Sequence, residues 1–233
     1  WGLNQNFNIV TDVPPGGDFT QIAAGSWHAL AIRADGSLVS WGDDGFGQVS
    51  STPIGTGFIQ VTAGSQFSYA LRADGSIASW GTFDYSGQVT NTPAGQGFLQ
   101  VDAGFRTSAA LRANGSIVMW GYDTILISST PTETGFTMVA VGWQHALALR
   151  PNGGIVSWGS ETAGVLANSP TETGFVSVAA NQSSSLALRA DGSIVAWGSD
   201  TYGQVSNSPT ELGFAQFGAG ESHSSALRSN GTV

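Results

Sequence analysis

The chain has 233 residues, with 33 glycines, eight prolines and no cysteine, and 16 acidic residues outweigh seven basic ones to give a net charge of −9. Without cysteine there are no disulfides and no thiolate metal sites. All seven basic residues are arginines with no run among them to neutralise phosphates, which argues against nucleic acid, and no apolar stretch approaches the roughly 20 residues of a membrane span.

In chain order the first landmark is Trp1-Gly2, and the same pair returns at Trp41, Trp80, Trp120, Trp158 and Trp197, 38 to 40 residues apart. A fixed period of that size marks a repeat architecture, in which each copy buries its apolar face against the next. Each copy opens near a phenylalanine, at Phe19, Phe58, Phe98, Phe136, Phe175 and Phe214. The fifth copy shows the rest: Gly-Phe-Val-Ser-Val-Ala-Ala from Gly174, a run ending at Arg189, a run ending at Trp197-Gly198, and Gly-Gln-Val-Ser from Gly203. These short runs alternate apolar with small or polar residues, the period of half-buried strands, and no segment carries a helical stripe.

Between the second and third runs stands Asp35-Gly36, Asp74-Gly75, Asn114-Gly115, Asn152-Gly153, Asp191-Gly192 or Asn230-Gly231. Such pairs accept the positive φ of a tight hairpin, so those two strands pair antiparallel. Longer segments such as Ser-Pro-Thr-Glu-Thr-Gly from Ser169 carry the chain into the next copy. The expected fold is all-β, a single-domain β-propeller over residues 1–233 with six four-stranded blades of about 39 residues. Trp1-Gly2 and the Phe7 to Val10 segment are expected to complete the blade begun by Phe214 to Val233, pairing the N- and C-terminal segments to close the ring.

The string from Ala24 through Trp41, with Gly42 and Gly47-Gln48, resembles the repeat of the regulator of chromosome condensation family. That resemblance covers the whole chain and implies a propeller. Repeat length and loop style resemble a secreted bacterial subgroup that includes β-lactamase-inhibitor-type propellers, which implies a protein partner gripped by aromatic residues on one rim. The eukaryotic namesake binds chromatin and promotes nucleotide exchange on a small GTPase, and the basic surface for that role is absent here.

Two loops vary from copy to copy. The loop after the first strand reads Ser26-Trp27-His28, Ser65-Gln66-Phe67, Phe105-Arg106-Thr107, Trp143-Gln144-His145, Gln182-Ser183-Ser184 and Glu221-Ser222-His223. The loop after Trp-Gly carries Asp43-Asp44-Gly45-Phe46, Thr82-Phe83-Asp84-Tyr85, Tyr122-Asp123-Thr124-Ile125 and Ser199-Asp200-Thr201-Tyr202. Aromatic rings among Ser, Asp, Gln and Gly on rigidly held loops are the mixture of a protein-recognition surface. The candidate partner-binding residues are Trp27, Phe83, Tyr85, Arg106, Tyr122, Trp143 and Tyr202.

His28, His145 and His223 share one repeat position, which tempts a three-histidine metal site, but equivalent positions around a ring lie apart. They read instead as side chains bonded to neighbouring backbone, with no metal or cofactor expected. Asp43-Asp44 and the other loop acids lack calcium-loop spacing and read as solvated carboxylates. No nucleophile-elbow, phosphate-loop or metalloprotease motif occurs. The expectation is a non-enzymatic scaffold for a protein partner, extracellular or at the cell surface. The alternative is a carbohydrate-binding, lectin-like propeller using Trp27 and Trp143.

Overall fold

The computed structural model describes residues 11–81, 84–220 and 223–233. The first sheet joins β1 (Phe19–Ala24), β2 (His28–Arg33) and β3 (Leu38–Gly42). The second joins β4 (Phe58–Ala63), β5 (Ser68–Arg72) and β6 (Ile77–Trp80), and the third β7 (Phe98–Ala103), β8 (Thr107–Arg112) and β9 (Ile117–Gly121). After a short helix α1 (Thr124–Ser128) come β10 (Met138–Val141), β11 (His145–Leu149) and β12 (Ile155–Gly159). The fifth sheet joins β13 (Phe175–Ala180), β14 (Ser184–Arg189) and β15 (Ile194–Gly198), and the sixth pairs β16 (Phe214–Ala219) with β17 (Ser224–Arg228). The chain divides into two compact units, Trp1–Ala113 with Val118–Tyr122, and Asn114–Ile117 with Asp123–Val233.

Within each unit the first strands of successive sheets lie side by side, β1 with β4 and β4 with β7 in one, β10 with β13 and β13 with β16 in the other. The core sits in the seams between sheets. One seam packs Leu30 and Ile32 of β2 against Phe58 and Val61 of β4, and another packs Leu147 and Leu149 of β11 against Phe175 and Val178 of β13. Each fully buried side chain of this kind contributes roughly 1.5–3 kcal/mol.

The hairpins form where the Asp-Gly and Asn-Gly pairs stand. Only the glycine takes positive φ, +79° at Gly36 and +74° at Gly115, while the preceding carboxylate or amide accepts from the backbone two residues on, Asp35 Oδ1 from Ser37 and Asn114 Oδ1 from Ser116. The turn glycine also meets the next copy. Gly36 O accepts from Phe58 N at 3.1 Å and Gly153 O from Phe175 N at 3.2 Å. A Cβ on Gly75 would lie 2.5 Å from Gly97 N, so the close approach itself excludes a side chain. The register slips between Phe58 and Gln60 and at the equivalent place in β1, β7, β13 and β16.

All six frame arginines do one job. Each guanidinium lies over the phenylalanine fourteen residues upstream, from 4.6 Å for Arg228 over Phe214 to 5.8 Å for Arg150 over Phe136. Four also reach a carboxylate: Arg33 to Asp18, Arg150 to Glu133, Arg189 to Glu172 and Arg228 to Glu211.

The expected fourth strand is absent from the described sheets: five have three strands and β16–β17 has two. Gly-Gln-Val-Ser forms turns, closed by Ser51 N to Gly47 O at 3.3 Å and Asn207 N to Gly203 O at 3.0 Å. A loop acid takes the amides a ladder would need, Asp44 Oδ1 accepting from Val49 N and Ser50 N, and Asp200 Oδ1 from Val205 N and Ser206 N. In the third copy the same region becomes α1, with Asp123 as its N-cap accepting from Ile125 N and Leu126 N at 3.0 Å. The expected ring-closing segment, Trp1-Gly2 and Phe7 to Val10, lies outside the described residues.

Candidate functional site

In four of the described sheets the loop after the first strand and the loop after Trp-Gly run together. In the first unit Asp43 N donates to Trp27 O at 2.8 Å and Tyr122 N to Arg106 O at 3.0 Å. In the second unit Ser160 N donates to Gln144 O and Ser199 N to Ser183 O, both at 2.8 Å. The glycine of Trp-Gly permits the approach: a Cβ on Gly121 would lie 2.5 Å from Arg106 O, and one on Gly159 2.4 Å from Gln144 O. Variable side chains are thus presented by two loops fastened to each other and to a strand end.

The first unit exposes Trp27 (46%), Tyr85 (84%) and Tyr122 (57%). Arg106 is half-buried and lies over two rings, 5.3 Å from the centroid of Phe105 and 5.5 Å from that of Tyr122. Phe105 O in turn accepts from Ser65 N at 3.2 Å, which fastens this loop to the one before it. The second unit exposes Trp143 (40%) and Tyr202 (72%). Phe83 lies outside the described residues. Two apolar loop residues left out of the candidate partner-binding set are Phe105 beside Arg106 and Ile125 of α1, 59% exposed. The aromatic-Arg-Thr triplet at 105 to 107 was the available signal for the first.

The loop acids are framework. Asp43 Oδ1 accepts from Gly45 N and its Oδ2 from Gln48 Nε2, while Gln48 Oε1 accepts from Phe46 N. Glu161 accepts from Gly164, Leu166 and Ala167 amides. These backbone amides, Ser50 first for Asp44, Ala167 first for Glu161 and Ser206 first for Asp200, hold the three carboxyls below their ordinary range.

The histidines bond across seams to side chains, where backbone partners were expected. His28 Nε2 lies 2.7 Å from Ser68 Oγ, and His145 Nε2 lies 2.8 Å from Ser185 Oγ, each serine belonging to the next copy. Burial holds both imidazoles down at about 4, against a weaker upward pull from Asp43 on His28 and Glu161 on His145. Their Nδ1 atoms are buried with no hydrogen-bond partner. Histidine beside serine is the start of an activated-nucleophile arrangement, but Ser68 and Ser185 are fully buried, so neither hydroxyl meets a dissolved substrate. Among the described residues no three His, Cys, Asp or Glu side chains converge to hold a metal ion.

Residues 19–48, 137–164 and 175–204 match the regulator of chromosome condensation (RCC1) repeat. These three segments are RCC1-type repeats. Among solved structures it is similar to the ectodomain of the receptor kinase CR4 from Physcomitrella patens, 25% identical with a TM-score of 0.67 over 80% of this chain and 52% of that one. It is similar also to yeast RCC1 (Prp20) solved with Kap60 bound, 19% identical, TM-score 0.74, over 91% of this chain and 68% of the other. A second structure, Prp20p from Saccharomyces cerevisiae, is 18% identical, TM-score 0.70, over 90% and 69%. The chain therefore spans about half the length of the moss ectodomain. No curated protein matches. The likenesses fix the fold as that of RCC1-type β-propeller repeats, with the repeat frame of Phe, Arg, Trp and hairpin glycine set apart from the loops that vary.

Proposed function

We propose that this RCC1-type chain is a non-enzymatic, extracellular or cell-surface scaffold that binds a protein partner through the variable loops. The observation that carries this is the pairing of loops in the first unit, which fixes the backbone at Trp27, Arg106 and Tyr122 by hydrogen bonds while Trp27, Tyr85 and Tyr122 stand exposed. Aromatic side chains with few rotamers, already ordered, bury large area at low entropic cost. Protein binding by similar folds supports the reading: yeast RCC1 (Prp20) is solved with Kap60 bound, and Prp20p was studied for binding to Gsp1p and histones. Trp143 and Tyr202 of the second unit extend the proposed contact set, and Phe83 completes it from the sequence alone.

The test compares the intact protein with a Trp27→Ala/Trp143→Ala variant of equal thermal stability, in pull-downs from secreted and surface fractions of the source organism and on a glycan array. The expected outcome is one defined protein retained by the intact form and lost by the variant. Retention of glycans by the intact form alone, with no protein captured, overturns the proposal in favour of the lectin-like alternative.

A further inference from the structure

We infer that the β16–β17 sheet carries a docking face for a partner that presents one RCC1-type sheet with a serine near the head of its second strand, held by Gln216, His223 and the Gly231 carbonyl. The seams inside each unit show what such a face needs. Gln21 of β1 clamps the backbone of the next copy's first strand, accepting from Val61 N at 3.0 Å and donating to Val61 O at 3.3 Å, and Gln60 accepts from Val101 N at 3.0 Å. The turn glycine accepts from the phenylalanine amide of the next copy, as Gly36 O does from Phe58 N and Gly192 O from Phe214 N. His28 and His145 reach Ser68 and Ser185 of the next copy.

The sixth copy repeats all three groups. Gln216 stands in β16 where Gln21 stands in β1, two residues after the phenylalanine. Gly231 takes a φ of +86°, against +79° for Gly36. A Cβ on Gly220 would lie 2.6 Å from His223 Cε1, as one on Gly142 would from His145 Cε1, so the His223 ring already has the seam orientation. Yet Gln216, His223 and Gly231 are exposed, and neither of the two side chains bonds to a described residue. Leu227, at the place of Ile32 and Leu149, is half-buried where those two are buried. Groups set in bound geometry beforehand lower the cost of association. Serine is the selective element. In the first and fourth copies the histidine meets a serine of the next copy, and Thr107 stands where the next copy has Ala146. Asn181 likewise reaches Ser224. The first copy has Ala29 at the serine position and lacks the hydroxyl that this histidine pairs with. A sheet with alanine there would bury Nε2 unpaired, which is destabilising.

A probe sheet of known sequence tests this. Asn230-Gly231-Thr232-Val233 matches Asn152-Gly153-Gly154-Ile155, so a duplicate of residues 156–198 joined after Val233 supplies a third strand to the sixth sheet and then a sheet with the serine of β14. Diethyl pyrocarbonate should label exposed His223 in the intact protein, with buried His28 and His145 as unlabelled controls. In the extended protein His223 is expected to label more slowly by about tenfold or more. In urea unfolding, His223→Ala and a Ser185→Ala change in the duplicate should each weaken the extended protein, and together cost less than their sum. Gln216→Ala should weaken the extended protein and leave the intact one unchanged. Labelling of His223 at one rate with and without the duplicate overturns the docking face, and strict additivity of the His223 and Ser185 changes overturns serine as its selector. Protection of His223 in the intact protein overturns the proposal as well: in a monomer it means that the face is covered without a partner, and in a self-associated form that the occupant is a second copy.

Discussion

Asn181 donates its side-chain amide to Ser224 Oγ at 3.3 Å, and this bond does in the fifth copy what histidine does in the first and fourth. Asn181 stands where the other five copies have glycine, at Gly25, Gly64, Gly104, Gly142 and Gly220. The backbone is the same, since Asn181 N donates to Ser184 O as Gly25 N does to His28 O. A Cβ on Gly25 would lie 2.5 Å from His28 Cε1, and one on Gly64 2.2 Å from Phe67 Cζ. In the four copies with a ring three residues on, that ring therefore enforces glycine. With Ser184 in place of a ring, the space admits an asparagine, whose amide also reaches Ser184 Oγ at 3.1 Å.

A double-mutant cycle tests this exchange. Ser184→His alone places a ring against the Asn181 side chain and is expected to cost about 1–3 kcal/mol by overpacking. Asn181→Gly alone removes the seam hydrogen bond and costs about 1 kcal/mol. Together they rebuild the arrangement of the first and fourth copies, with a histidine at 184 facing Ser224. The double variant should recover stability, giving a favourable coupling of about 2 kcal/mol in urea unfolding. Simple additivity of the two losses would show that ring and glycine are independent.

The two buried histidines set a pH dependence. Each has a folded pKa of about 4 against 6.5 in the unfolded chain, so the unfolded state binds the proton first. Stability is full above pH 6.5 and falls as pH drops from 6.5 towards 4. The groups facing them are Ser68 and Asp43 for His28, and Ser185 and Glu161 for His145. Going from pH 7 to pH 5 should cost about 2 kcal/mol per histidine. Urea midpoints at the two pH values check this, and a His28→Gln/His145→Gln variant should lose most of the difference. An equal drop in that variant would remove the two histidines as its cause.

The frame was legible because it is periodic: strand alternation, hairpin Asp-Gly pairs and Trp-Gly spacing each recur, and each maps onto an observed strand or turn. The fourth strand was misread because Gly-Gln-Val-Ser alternates as a strand does, while what decides it is Asp44, five and six residues before the amides it captures. The arginine position was visible, yet its purpose needed the phenylalanine fourteen residues upstream, which a local pattern does not pair. The histidine bond crosses to a serine 40 residues on, so reading one copy at a time pointed to backbone instead. Trp27, Tyr85, Tyr122, Trp143 and Tyr202 do not repeat and are exposed, but failure to repeat does not decide exposure, since Phe67 and Tyr69 stand in one copy only and are fully buried. The stacking of Arg106 on Tyr122 joins two loops distant in sequence and had no local signature.

The four described seams fastened by tryptophan differ in one place. Trp80 Nε1 donates to Gln48 O at 2.9 Å, Trp120 Nε1 to Gln88 O at 3.0 Å, and Trp197 Nε1 to Val165 O at 3.0 Å. Trp158 Nε1 is buried with no hydrogen-bond partner. By position its acceptor would be Leu126 O, five residues before Pro131 as Gln48 is before Pro53. Leu126 lies in α1, where Ser129 and Thr130 hydroxyls reach that carbonyl. The helix has thus removed the acceptor, and a buried N–H left unpaired costs about 1–3 kcal/mol. Trp to Phe substitutions should expose the difference. Trp80→Phe and Trp197→Phe lose both packing and a hydrogen bond, whereas Trp158→Phe loses packing while removing the unpaired donor. Trp158→Phe should therefore be milder than either by about 1–2 kcal/mol in urea unfolding. Equal losses at all three positions would mean that the Trp158 indole is satisfied in solution, by water or by a shift of α1.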